Sequence, residues 1–148
     1  VAPFDAPEED LAPGPGSDGS SRLSGLVIAR GAATGLLLAI PAAFANTVFA
    51  DQTPKPRGAI NVSFLVVFLG FVLAGWLAGR EAPGQRAKHG ALAAVAAFVP
   101  VQIVGLLGRF DRGAGISIFS IVFIGLLAAC LGTIGASIGG RNRKGDPS

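Results

Sequence analysis

The sequence predicts an all-α membrane protein. It has four transmembrane helices, arranged as two duplicated helical hairpins, with a disordered N-terminal tail. Three observations predict this. Of 148 residues, 51% are hydrophobic and 14% charged, where about a quarter are charged in an ordinary soluble domain. Four stretches, 31–50, 58–79, 90–108 and 113–140, contain no Asp, Glu, Lys, Arg or His, so all the charge falls between or outside them. Each stretch is long enough, at 1.5 Å per helical residue, to cross a hydrocarbon layer of about 30 Å.

Residues 1–24 come first and are rich in Pro, Gly, Ser and acid. Such a segment cannot bury enough apolar surface to offset its chain entropy, and it is expected to be a disordered acidic tail. Its acidic start and lack of an apolar core argue against a signal peptide. Gly14, Gly16 and Gly19 spell G-x-G-x-x-G, but a dinucleotide fingerprint needs a strand before it and a helix after it. Pro13, Pro15 and Asp18 deny both that context and the phosphate charge.

The helical domain is expected over 25–140, with spans near 26–50, 59–79, 90–108 and 116–139, followed by a short basic tail at 141–148. The connections are too short to hold a folded domain. Basic residues near span ends favour an N-terminus inside. The inner side then holds Arg22, Arg30, Arg80, Arg86, Lys88, Arg141, Arg143 and Lys144, and the outer side Lys55, Arg57, Arg109 and Arg112. The positive-inside rule therefore places both termini in the cytoplasm. Trp76 near the inner end of the second span fits an interfacial anchor. The overall basic charge sits beside the spans, where headgroups lie, and no basic helix points to nucleic acid.

The two halves resemble each other. At a shift of 59, Gly31 meets Gly90 and Pro41 meets Pro100. At a shift of 55, Phe64, Phe68, Gly70 and Ala74 meet Phe119, Phe123, Gly125 and Ala129. An even number of spans per repeat predicts a pseudo-twofold axis along the membrane normal.

Lipid tails are as apolar as Leu, so helix association rests on close approach of small residues. The fourth span carries such a seam in Gly125, Ala129, Gly132, Ala136 and Gly139, spaced 4-3-4-3. Gly90 and Ala94 serve the third span, Gly31 and Gly35 the first, and Gly70 and Ala74 the second. Phe64, Phe68 and Phe71 are expected on a neighbouring, lipid-facing side. Pro41 and Pro100 interrupt the first and third spans near their middles and are expected to kink them. They are read as shape-fitting kinks rather than as the rim of a transporter cavity.

Groups that could carry chemistry are few. No ionisable side chain lies deep in a span, which argues against a proton relay or a carboxylate cation site. His89 at the inner mouth of the third span reads as an interfacial polar residue without a partner, not as a metal ligand. Cys130 lies inside a span and has no second cysteine to pair with. Asn46 and Gln102 are the costliest groups to leave in hydrocarbon, and they read as interhelical glue. These features imply no catalytic residue, no metal and no cofactor.

Arg30-Gly31-Ala32 with Pro41, then Leu69-Gly70-Phe71-Val72-Leu73-Ala74-Gly75-Trp76-Leu77-Ala78-Gly79-Arg80, then His89-Gly90-Ala91-Leu92 resemble a group of small uncharacterised four-span bacterial integral membrane proteins. The resemblance covers about 30–145 and implies a multi-pass protein of the bacterial plasma membrane. It carries over no mechanism and no functional residue. The expected role is a non-enzymatic accessory or scaffolding component. Its partners would be the lipid bilayer and a homodimer or larger membrane complex. The alternative is a small dimeric transporter or channel for an uncharged solute.

Overall fold

Each apolar stretch supplies the core of one helix in the computed structural model, which describes residues 23–82 and 84–141. Residues 1–22 of the tail expected over 1–24, with its glycine motif, and most of the basic segment after Gly140 lie outside the described residues; Leu23 and Ser24 are described, and the Ser24 N–H is held by His89. The helices are α1 (Gly25–Asp51), α2 (Arg57–Glu81), α3 (Arg86–Asp111) and α4 (Ile118–Arg141), with no strand among the described residues. All four are long and apolar enough to cross a membrane, consistent with an integral membrane protein.

The first three helices outrun their charge-free stretches at both ends, by one to six residues, into flanking charged positions that water and headgroups can reach. Helix α4 begins later than its stretch. Ser117 stops it there: its carbonyl accepts the Ile121 N–H at 3.2 Å, and its hydroxyl oxygen accepts the Ser120 N–H at 3.4 Å, the pattern of an N-cap.

The interior is built mainly of small residues, and large aliphatic and aromatic side chains crowd the outside. Ala39, Ala74, Ala78, Ala93, Ala94, Ala97, Ala128 and Ala136 are wholly buried, whereas Leu37, Ile118 and Phe119 are 74–79% exposed. This distribution suits a bilayer. Hydrocarbon covers the outer side chains at no loss, and the inner ones let backbones meet.

Helices α1 and α4 occupy opposite corners, and each packs on both α2 and α3, which also touch each other. A twofold axis along the normal that exchanged the hairpins would bring α1 and α4 together as it does α2 and α3. The packing departs from that expectation, because α2 and α3 each carry small residues on two faces. On α2, Gly70 and Ala74 face α1 while Gly75 and Gly79 face α4; on α3, Ala93 meets α1 and Gly90 meets α4.

The two hairpins nevertheless close in the same manner. Gly31 lies against Ala74 and Ala78, and Gly90 lies against Gly132 and Ala136. The equivalent positions in α2 and α4 thus stand 58 apart, not the 55 that the phenylalanine matches suggest. Backbone approach sets the register, and lipid-facing or space-filling aromatics follow it loosely.

The contacts are tight enough to exclude a methyl group. A Cβ at Gly31 would lie 2.6 Å from the Ala74 carbonyl oxygen, and one at Gly35 would lie 2.5 Å from that of Gly70. Gly75 abuts the Gly132 backbone, Gly132 abuts Gly90, Gly135 abuts Val72 and Gly139 abuts Trp76. In α4 the seam in use is therefore Ala128, Gly132, Gly135, Ala136 and Gly139. Ala129 is half-buried beside it, and Gly125 faces the Phe98 ring, with 3.4 Å between that ring and a built Cβ.

The expectation that Phe64, Phe68 and Phe71 face lipid fails for two of the three. Phe71 is fully buried, and Phe68 is half-buried beside it, ring centroids 6.5 Å apart. Phe71 also meets Phe98 edge to face at 6.3 Å. Beyond the backbone-on-backbone glycine contacts rings fill the interior, while Gly108 against Thr47 still holds α3 to α1. Phe64 remains largely exposed.

Substituting the tight glycines should therefore be costly in proportion to the backbone they meet. Gly132→Leu is expected to cost at least about 3 kcal/mol, read as a lowered thermal midpoint in detergent. Gly58→Ala, at a site where a Cβ meets nothing within 4 Å, should leave that midpoint unchanged.

Candidate functional site

Backbone contact closes the bundle at the end that holds the α2–α3 connection. Toward the α1–α2 and α3–α4 connections the helices part and leave a cavity of about 230 Å³. All four helices line it. Its floor is apolar, made by Val67, Phe71, Phe98 and Ile124, and its upper wall and mouth carry Asn46, Thr47, Gln102, Ser120, Arg109 and Arg112 beside Ile121.

The prolines sit at the level where this space begins. Helices α1 and α3 continue through Pro41 and Pro100, and the lining starts just beyond them, at Ala43 on α1 and at Phe98 and Val101 around Pro100 on α3. A prolyl ring removes one intrahelical hydrogen bond and crowds the preceding turn, so both prolines stand where two helices leave the tight packing of the other end.

The polar lining divides into satisfied and unsatisfied groups. The Asn46 amide Nδ2 donates to the Ile60 carbonyl of α2 at 3.2 Å, so it is a bridge between α1 and α2. Thr47 Oγ1 donates to the Phe44 carbonyl at 2.7 Å, and Ser120 Oγ donates to Ser117 Oγ at 3.2 Å. Gln102 is half-buried, and no hydrogen bond joins its side chain to another of the described residues. Asn46 and Gln102, similar in sequence terms, thus differ: one joins helices, and the other faces open space.

The two arginines are placed by the end of α3. Gly113 has φ of +63°, a conformation that favours glycine. It lets the Ala114 N–H reach the Arg109 carbonyl at 2.9 Å and the Gly113 N–H reach that of Phe110 at 3.0 Å. This is a Schellman ending, and it turns the chain sharply after Arg109 and Arg112. Arg112 Nη1 pairs with Asp51 Oδ1 at 3.0 Å, tying the ends of α1 and α3 together. Arg109 is half-buried and makes no ion pair among the described residues.

The closed end has its own polar clasp. His89 was expected to lack a partner, but it is buried. Its Nε2 accepts the Ser24 backbone N–H at 3.0 Å, which leaves Nδ1–H to donate to the Gln85 carbonyl at 3.0 Å. The ring thus bridges the two and pins the start of α1 to α3. Arg86 Nη1 donates to the Gly140 carbonyl at 3.2 Å, closing the end of α4. The Arg80 guanidinium stacks 4.7 Å over the Trp76 ring, as a cation–π pair does.

Among the described residues, no three of His, Cys, Asp and Glu could share a metal ion, and Cys130 is exposed on α4. What the cavity offers is space, an apolar floor and a cationic mouth. Arg109 and Arg112 escaped notice as site residues because in sequence they read as loop charges. The signal was present: Gln102, Gly105 and Arg109 are spaced 3-4 and share one helical face. Comparison with known protein families, with curated proteins and with solved structures finds no match.

The two amides should respond oppositely to truncation of their polarity. Asn46→Ala is expected to lower stability by about 0.6–1.7 kcal/mol, the range for interhelical hydrogen bonds in membranes. Gln102→Leu should be neutral or stabilising, because no protein partner is orphaned. Unfolding of both variants in detergent checks the contrast.

Proposed function

We propose that this chain is a non-enzymatic accessory or scaffolding component of a bacterial plasma membrane. In this reading it packs with itself or with a larger membrane complex, and both termini are cytoplasmic. The observation that carries it is the sealed half of the bundle. Gly31, Gly35, Gly70, Gly75, Gly90 and Gly132 hold backbones in contact there, so solute has no path between helices without parting contacts on several faces at once. A rigid core of this kind presents fixed outer faces, among them the exposed Phe119 and Phe123 rings, stacked at 6.4 Å on α4. The basic residues near the α2–α3 connection support the orientation, and the cavity then opens to the outside.

A second reading, a small dimeric transporter of an uncharged solute, draws on one observation: a cavity that contains Gln102 without a hydrogen-bond partner among the described residues. The sealed end weighs against it, since alternating access would have to break glycine contacts that leave no room for a methyl group.

Purification of the full chain in mild detergent, followed by reconstitution, separates the two. The accessory reading predicts a co-purifying larger assembly, or a stable self-complex, and no solute flux into liposomes. Flux that is lost in Gln102→Ala would overturn it in favour of transport. Reporters fused at the two ends should both register on the cytoplasmic face; opposite faces would contradict the orientation.

A further inference from the structure

We propose that the cavity at the α1–α2 and α3–α4 end is a binding site for one alkyl chain of an anionic amphiphile. Its charged head would lie at Arg109 and its alkyl chain would run down to Phe71 and Phe98. This site is separate from the accessory reading and does not depend on it.

Three features of the cavity select this class of ligand. The first is its polarity gradient. The floor is aromatic and aliphatic, and cationic groups lie only at the mouth, so an occupant that satisfies both must be apolar at one end and charged at the other. The second is charge. Two guanidiniums share the mouth with one carboxylate: Arg112 is bound to Asp51 at 3.0 Å, and Arg109 has no ion-pair partner among the described residues. A half-buried guanidinium favours an anion, and its planar fork matches the paired oxygens of a carboxylate or phosphate. Gln102 stands between floor and mouth with its amide open, able to meet the head or a water that the head orders. The third is size. A dry cavity of about 150 Å³ holds benzene, so 230 Å³ has room for roughly nine carbon atoms by proportion. That matches a medium alkyl chain and is too small for a two-chain lipid tail. The head could belong to a free fatty acid or to an anionic lipid that lends one chain end.

Gly105 provides the decisive variant. It lines the cavity, and a Cβ there meets nothing within 4 Å, so Gly105→Leu obstructs the path of an alkyl chain without disturbing the packed end. The full chain is placed in phosphatidylcholine nanodiscs, and radiolabelled decanoate binding is measured against empty discs. The expected result is one saturable equivalent per chain, not displaced by decyltrimethylammonium. Binding should weaken at least tenfold in Arg109→Gln. It should vanish in Gly105→Leu, whose thermal midpoint stays equal or rises. Displacement of decanoate by phosphatidylglycerol in the discs would assign the site to a membrane lipid, and retention would assign it to a free acid; either supports an anionic amphiphile. Absence of a saturable component in the wild-type chain would overturn the proposal. So would saturable binding that survives in both variants, or equal competition by the cationic amphiphile.

Discussion

Backbone meeting backbone at glycine is the constraint from which the rest of this bundle follows. In hydrocarbon, apolar side chains gain nothing by leaving lipid for protein, so helices hold together through dispersion at short range and through the polar groups between them. Gly75 on Gly132 and Gly132 on Gly90 bring three helices into contact along one line. Because α2 and α3 use two faces each for such contacts, they become the central pair, and α1 and α4 are left at the corners. The same tightness has a geometric consequence. Helices joined closely at one end leave a cavity toward the other, where α1 and α3 have passed Pro41 and Pro100, and Phe71 and Phe98 mark where contact gives way to cavity.

Much of this was legible in the sequence, and the reasons are physical. Charge-free stretches report spans directly, because charge inside hydrocarbon is costly. Glycines with helical spacing report helix contact, and Gly31, Gly35, Gly70, Gly90, Gly132 and Gly139 all lie at interfaces. The chosen heptad in α4 was one stripe off in part, since Ala128 and Gly135 are buried more deeply than Gly125 and Ala129. A helix apolar on every side gives no periodic signal for which stripe faces inward. For the same reason Phe68 and Phe71 could not be told from lipid-facing rings.

The polar groups were harder. Asn46 and Gln102 look alike in sequence, but only the positions of neighbouring carbonyls decide which one is satisfied. His89 finds its partners at Ser24, 65 residues away, and at Gln85, and the first cannot be inferred from local pattern. Arg109 and Arg112 join the cavity because a Schellman turn folds the end of α3, and Gly113 alone does not announce where that turn aims the chain. The bundle follows the same division. The sealed half gives rigidity, and the open half gives a chemically distinct space with an apolar floor and a cationic rim.

The central claim is that α2, α3 and α4 touch through their backbones at one level of the membrane. Solid-state NMR of the full chain in lipid tests it most directly, with glycine labelled at the carbonyl carbon and at Cα and the Gly75, Gly90 and Gly132 resonances assigned. The account predicts strong interhelical dipolar couplings from Gly132 to both Gly75 and Gly90. Loss of both couplings in a sample whose helices are otherwise intact would contradict it.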